Sequence, residues 1–158
     1  TRINVKIKAG EETEINGAGP KISDEKLEEL KAILAGLSSE DTVVFAGSAP
    51  SSLGNQVYNT LIPIAKKAGA EVVCDFEGQT LLDSLNYQPL LVKPNSHELA
   101  DIFGVELNGL EDIEKYAREI LAKDTKNVII SMAGDGALLV TPEAAYFAKR
   151  GGRCFLHC

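Results

Sequence analysis

Three shortages frame this sequence. Positive charge is scarce: 16 Lys and Arg stand against 23 Asp and Glu, a formal net charge of -7. A nucleic-acid partner needs clustered Lys and Arg against its phosphates, so that class is excluded as the main partner. An anionic small molecule needs only a few well-placed donors and stays open. Long apolar runs are missing as well. None approaches the roughly 20 residues of a membrane-spanning helix, and the opening TRINVKIKAG lacks the pattern of a secretory signal. The expectation is a cytoplasmic protein with no membrane partner. Cysteine is the third shortage, with Cys74, Cys154 and Cys158. Cys74, inside the apolar run EVVCDF, reads as a buried inert thiol. Cys154 and Cys158 flank His157 in GGRCFLHC, too few ligands at an irregular terminus for a zinc motif. Internal repeats and low-complexity tracts are also lacking.

What is present fits a globular domain of 158 residues, 44% hydrophobic and 25% charged, long enough to bury a sizeable core. Residues 1–20 stand apart. Ile3, Val5 and Ile7 alternate with polar neighbours, AGEE offers a turn, and Thr13 and Ile15 resume the alternation. This predicts a β-hairpin with one apolar face, closed by the turn-rich NGAGP. From residue 21 to 158 the pattern becomes α/β. Ser23, followed by Asp24 and Glu25, predicts an N-cap with acidic residues in the first turn. Leu27, Leu30, Ile33, Leu34 and Leu37 supply the apolar face of that helix. TVVFAG, EVVCDF, PLLVKPN and NVIISMAG are short apolar runs of the buried parallel type. Helical stretches separate them: NQVYNTLIPIAKKAG, with Pro63 as a candidate kink and Gly69 as its stop, then QTLLDSLNY, SHELADIFG and LEDIEKYAREILAKD. GALLVTPE and AAYFAK form a closing hairpin. The fold class is α/β, a mainly parallel sheet flanked by helices, with antiparallel strands at one edge.

Ligands of open α/β sheets bind beyond the carboxyl ends of the strands, and the unusual residues follow the strands here. GSAPSS follows the first, DFEG the second, KPNSHE the third and SMAGDG the fourth. In KPNSHELADIFG, Pro94 ends the strand and Ser96 is the expected N-cap of the next helix. Asn95 and Glu98, three residues apart, can face one locus, the arrangement wanted around hydrated Mg²⁺. Lys93 can set a point charge against phosphate. The bland alternative leaves Glu98 serving the helix dipole and Lys93 solvated. In SMAGDGA, Gly134 and Gly136 permit close backbone approach to an anion, though a plain hairpin also wants glycines there. Ser48 after Gly47, and Asp75 at a strand end, are candidate lining residues. Arg2 and Asn4 fall on the polar face of the first hairpin strand.

Together these segments resemble the PfkB-type carbohydrate kinases of the ribokinase-like superfamily. The stretches that carry the resemblance are TRINVKI with ETEINGAGP, VVFAGSAP, VVCDFEG, LLVKPNSHELADIFG and VIISMAGDGALLV. Within the family they are most similar to the branch of bacterial 1-phosphofructokinases and tagatose-6-phosphate kinases. The resemblance implies ATP and Mg²⁺ as cofactors and a small-molecule sugar phosphate as substrate. By position, Asn95 and Glu98 would organise Mg²⁺ and the ATP phosphates, Glu98 through metal-bound water. Lys93 would bind nucleotide phosphate, and Ser131, Gly134, Asp135 and Gly136 would lie in the ATP loop. Arg2 and Asn4 would face the sugar phosphate from a lid hairpin that also serves a homodimer contact. Ser48 and Asp75 would be substrate-side residues.

The departures matter equally. Family members carry a glycine-rich sugar-binding segment before the lid and a Gly-Ala-Gly-Asp motif after the final hairpin, whose Asp is the catalytic base. Neither is found here, and RGGRCFLHC does not resemble the family's approach to the second. The expectation is therefore the central part of a kinase making fructose 1,6-bisphosphate from fructose 1-phosphate, with little turnover of its own. Alternatives are a tagatose-6-phosphate kinase, a non-catalytic nucleotide- or sugar-phosphate-binding module, and a structural α/β fragment.

Overall fold

The hairpin and the α/β segment form separate sheets. A computed structural model of the chain describes residues 4–9, 11–16, 21–151 and 154–157, and the account of side chains runs from 21 to 151. The strands β1 (Asn4–Ala9) and β2 (Glu11–Asn16) pair antiparallel, with Asn4 opposite Asn16 and Ala9 opposite Glu11. They make a two-stranded sheet of their own, as the alternation of Val5, Ile7, Thr13 and Ile15 predicts.

The chain then alternates. Helix α1 (Asp24–Ala35) leads to β3 (Thr42–Ala46), and a short 3-10 turn at Asn55–Val57 opens α2 (Tyr58–Lys67). Next come β4 (Glu71–Asp75), α3 (Gly78–Leu85), the two-residue β5 (Leu91–Val92) and α4 (Ser96–Phe103). Helix α5 (Leu110–Leu121) precedes β6 (Val128–Ser131), β7 (Ala137–Val140), β8 (Ala145–Ala148) and β9 (Cys154–His157). In the second sheet these strands lie in chain order from β3 to β9. Pairing is parallel from β3 to β6 and antiparallel from β6 to β9. The expected parallel sheet with an antiparallel edge is therefore present. One expectation is corrected: residues 154–157, read as an irregular terminus, extend the sheet as β9 against β8.

The core follows from the strand pattern. Val72 and Cys74 of β4, Val92 of β5, and Val128 and Ile130 of β6 have no exposed surface. Leu81, Leu99 and Ile120 from the helices close over them, equally buried. Burial of side chains this size is worth roughly 1.5–3 kcal/mol each. Cys74 is the inert thiol expected; desolvation pushes its pKa up to about 11.

Helix ends are set locally. The Ser23 hydroxyl accepts from the Lys26 amide at 3.3 Å, with Asp24 and Glu25 in the first turn of α1. Helix α4 ends on Gly104 in the left-handed conformation. Pro63 lies inside α2, and its ring nitrogen cannot donate to the Asn59 carbonyl four residues back. That carbonyl accepts instead from the Tyr87 hydroxyl, beyond the end of α3, at 3.3 Å. Among the described residues no helix is long and apolar enough to cross a membrane.

Candidate functional site at the carboxyl ends of the parallel strands

Parallel pairing brings the four strand ends to one side, and backbone hydrogen bonds join them into a rim. The Gly47 amide donates to the Asp75 carbonyl, Lys93 to Cys74, and Ser131 to Pro94, each at 3.1 Å. Asn95 and Ser131 form a parallel bridge beyond the named strands. The KPNSHE and SMAGDG segments, read separately from sequence, thus share a boundary.

Asn95 and Glu98 are locked together. The Asn95 side-chain oxygen accepts from the Glu98 amide at 2.9 Å. Glu98 Oε2 in turn accepts from the Asn95 amide at 2.8 Å, and Oε1 from Asn95 Nδ2 at 2.6 Å. This reciprocal pattern is a capping box. It corrects the sequence expectation: Asn95, not Ser96, is the N-cap of α4, and Ser96 is its first helical residue. Pro94 biases Lys93 toward extended backbone, which leaves Asn95 as the residue entering the helix. Asn95 and Glu98 are thus brought into direct contact.

Two cavities flank the box. The first, about 250 Å³, is walled by Gly47, Ser48, Asn55, Asp75, Phe76, Glu77, Thr80 and Glu98. The second, about 630 Å³, is lined by Asn95, Ser96, His97 and Ala100 of α4, by Leu107 and Ile113, and by residues 131–135. Glu98 faces the first and Asn95 the second, so the capping box is the partition between them. Ser48 and Asp75 fall in the first cavity; Ser131, Gly134 and Asp135 fall in the second.

Lys93 stands at the same rim, its ammonium 3.0 Å from Asp75 Oδ1 at the end of β4. The two glycines of residues 131–136 part company. Gly136 has φ 122°, and a Cβ there would lie 2.0 Å from the Ala148 carbonyl oxygen. The close approach of β8 therefore demands Gly136. A Cβ on Gly134 would meet no atom within 4 Å, so packing does not require that glycine. Ala133, just before Gly134, holds φ 46°, a strained conformation for a residue with a Cβ.

A hydrated divalent cation fits this donor set in one manner only. Among the described residues no group of three or more His, Cys, Asp or Glu could hold a metal directly. Glu98 and Asp75 nevertheless face one small cavity, and Mg²⁺ typically keeps several waters while using one or two carboxylates with substrate phosphates. Both oxygens of Glu98 are fixed by Asn95 and retain lone pairs for such waters.

Sequence reasoning missed Asn55, Thr80 and Glu77 as cavity walls. Glu77 stands in DFEG, a strand end the sequence does flag, whereas Asn55 and Thr80 carry no pattern of their own. Of the hairpin candidates, Arg2 lies outside the described residues, and Asn4 is placed only as the first residue of β1.

Known proteins are similar to this chain in sequence and fold. The model of the pfkB family of carbohydrate kinases matches residues 1–151. The chain belongs to that family. It is 47% identical over 149 residues to a 1-phosphofructokinase of Bacillus subtilis, covering 94% of this chain and 49% of that protein. It is 31% identical to a tagatose-6-phosphate kinase of Staphylococcus epidermidis, covering 81% of this chain and 43% of that one. The crystal structure of Escherichia coli phosphofructokinase-2 in complex with fructose-6-phosphate superposes with a TM-score of 0.80 at 28% identity, over 94% of this chain and 50% of that one. The chain thus spans about half the length of the relatives it matches. The family's ribokinase-like architecture accounts for the mixed sheet and the rim of polar strand ends.

Proposed function

We propose that these residues form the nucleotide and metal side of an ATP-dependent sugar-phosphate kinase, which converts fructose 1-phosphate to fructose 1,6-bisphosphate. The observation that carries this reading is the pair of cavities meeting at the Asn95–Glu98 box. One is large and apolar-walled enough for a nucleoside, and the other is small and ringed by carboxylates. Phosphoryl transfer asks a protein mainly for positioning and electrostatic stabilisation. Ser131, Gly134 and Asp135 receive the nucleotide, with Leu107, Ile113 and Met132 against its base. Asn95 hydrogen-bonds the phosphates at the partition, and Glu98 orients the waters of the cation. Mg²⁺, when bound, supplies the charge that neutralises the transferring group. Lys93, held beside Asp75, sets a further positive charge at the same place. Gly136 supports the loop from behind.

Ser48 and Asp75 take the sugar-phosphate side. Arg2 and Asn4 reach the same substrate from the hairpin of residues 1–20, which acts as a lid and as the contact of a homodimer. The enzyme works in the cytoplasm. Because the matched relatives are about twice as long, the 158 residues alone are expected to bind nucleotide and turn over little. A tagatose phosphate is the second acceptor reading, favoured by the kinase of that name among the relatives.

A coupled assay of ADP release, run on the full-length protein and on the 158 residues, tests both parts. Fructose 1-phosphate should be the best acceptor for the full-length protein, with kcat/KM at least about ten-fold above tagatose 6-phosphate. Equal or better use of the tagatose phosphate would replace the acceptor assignment. Calorimetry with Mg·ATP should show binding to the 158 residues without turnover; undiminished turnover by them would sink that part.

A further inference from the structure

Tyr58, the first residue of α2, is outside every motif that marks the site, yet it touches both walls of the first cavity. Its hydroxyl donates to the Gly47 carbonyl at 3.1 Å. Its ring meets Phe45 edge-on at 6.0 Å between centroids and lies tilted against Phe76 at 4.4 Å. Phe45 precedes the β3 rim by two residues, and Phe76 directly follows Asp75. One side chain therefore spans the ends of β3 and β4. Gly47 is further tied by its amide to the Asp75 carbonyl, and the Ala49 amide donates to Asn55 Oδ1 at 3.0 Å. Ser48 thus sits between two pinned neighbours, although it is itself exposed.

Gly47 shows why a strut is needed. Its φ is 72°, and a Cβ there would meet nothing within 4 Å, so packing does not hold this stretch in place. A glycine in open space has unusual backbone freedom, and the contacts from Tyr58 and Asn55 remove it. Both aromatic partners of Tyr58 are buried, Phe45 at 8% and Phe76 at 4% exposure, so the strut is anchored in the core. Burial also raises the phenol above its ordinary 10.0, which leaves it a neutral donor at any ordinary pH.

We propose that Tyr58 is a positioning residue, which sets the width of the first cavity and aims Ser48 at the phosphoryl acceptor. This rests on the kinase reading for its catalytic part, and on geometry alone for the strut itself. The readouts separate the two. Tyr58→Phe keeps the rings and removes the hydroxyl. In the full-length protein, hydrogen exchange at the Gly47 and Ala49 amides should quicken about five-fold, while amides within β4 stay unchanged; a lost hydrogen bond is worth about that factor. Unchanged exchange at Gly47 and Ala49 overturns the strut whatever the kinetics show.

The kinetic arm is a double-mutant cycle. Tyr58→Phe should raise KM for the sugar phosphate about five-fold, with the melting temperature within about 2 °C of the parent. If Tyr58 acts through Ser48, the double variant Tyr58→Phe/Ser48→Ala should be no worse than Ser48→Ala alone. Losses that multiply would show that Tyr58 does not act through Ser48. Absence of turnover by the parent with every sugar phosphate would instead remove the kinase reading, and the exchange result would still decide the strut.

Discussion

The two ends of the parallel strands treat charge in opposite ways. At the amino end, Glu71 opens β4 between Lys126, which donates to its carboxylate, and Lys66, whose ammonium lies 3.8 Å away. Lys66 also donates to the Gln88 carbonyl at 3.2 Å. The hydrogen bond from Lys126, helped by the charge of both lysines, holds the Glu71 carboxyl below its usual 4.5. At the carboxyl end, Asp75, Glu77 and Glu98 ring one cavity, and Lys93 is paired with Asp75. The amino end sets one carboxylate against two lysines. The carboxyl end turns three carboxylates toward a cavity with one lysine among them. The contrast sets a staple beside a candidate site within one strand, since Glu71 and Asp75 are the two ends of β4.

The sharpest way to break the comparison is at Glu98. Glu98→Gln should lower kcat of the full-length protein at least about 100-fold, the scale of removing one preorganised charge-stabilising group. Stability should hardly move, because glutamine at this helical position can still complete a capping box. Glu98→Ala should lower both, with about 0.5–2 kcal/mol lost from the cap. A full rate for the glutamine variant would make the carboxyl end as structural as the amino end. Thermal melting beside steady-state kinetics reads all three proteins.

The glycine loop gives the next largest effect and sharpens the division within the carboxyl end itself. Gly136→Ala must move the β8 backbone and should cost at least about 2 kcal/mol, a fall of about 5 °C or more in melting temperature. Gly134→Ala should melt within about 2 °C of the parent yet raise KM for ATP about ten-fold. Equal melting of the two variants would show that the approach of β8 does not require Gly136. The smallest effect is at the staple. Lys126→Met should lower the melting temperature by about 1–3 °C near neutral pH without altering kcat. Because the folded pKa of Glu71 is depressed, its contribution is complete above 4.5 and is lost as pH falls through the lower folded value. The gap between parent and variant should therefore close as pH falls below 4.5. A gap that stays constant would mean that Lys126 acts through its aliphatic stem.

These contrasts also mark what could be read in the sequence. Continuous apolar runs and the helix signals around Ser23 located the elements, because burial on both faces and local capping leave direct traces in residue order. The strand-end segments meet at one rim because they all follow parallel strands. What stayed hidden was pairwise and long-range. The contact of Lys93 with Asp75 crosses two strands, and no spacing rule announces it. Asn95 displaces Ser96 as the cap through its reciprocal bonds with Glu98, a choice between two good capping residues that propensity alone leaves balanced. Gly134 and Gly136 look alike in a motif and differ only once β8 is in place. The tail read as irregular joins the sheet because β8 offers a free edge, which depends on partners rather than on the tail's own residues.

Pro63 turns a local defect into a dependence on sequence order. A helix ordinarily satisfies its own interior backbone, but α2 leaves the Asn59 carbonyl without its usual donor, and the missing proton comes from Tyr87, 28 residues further along the chain. Helix α2 is therefore unfinished until α3 has packed and its following turn has formed. The same helix starts at Tyr58, the strut over the first cavity. A ribosome delivering this chain would thus deliver every lining residue of that cavity except Glu98 before the residue that completes the helix behind it.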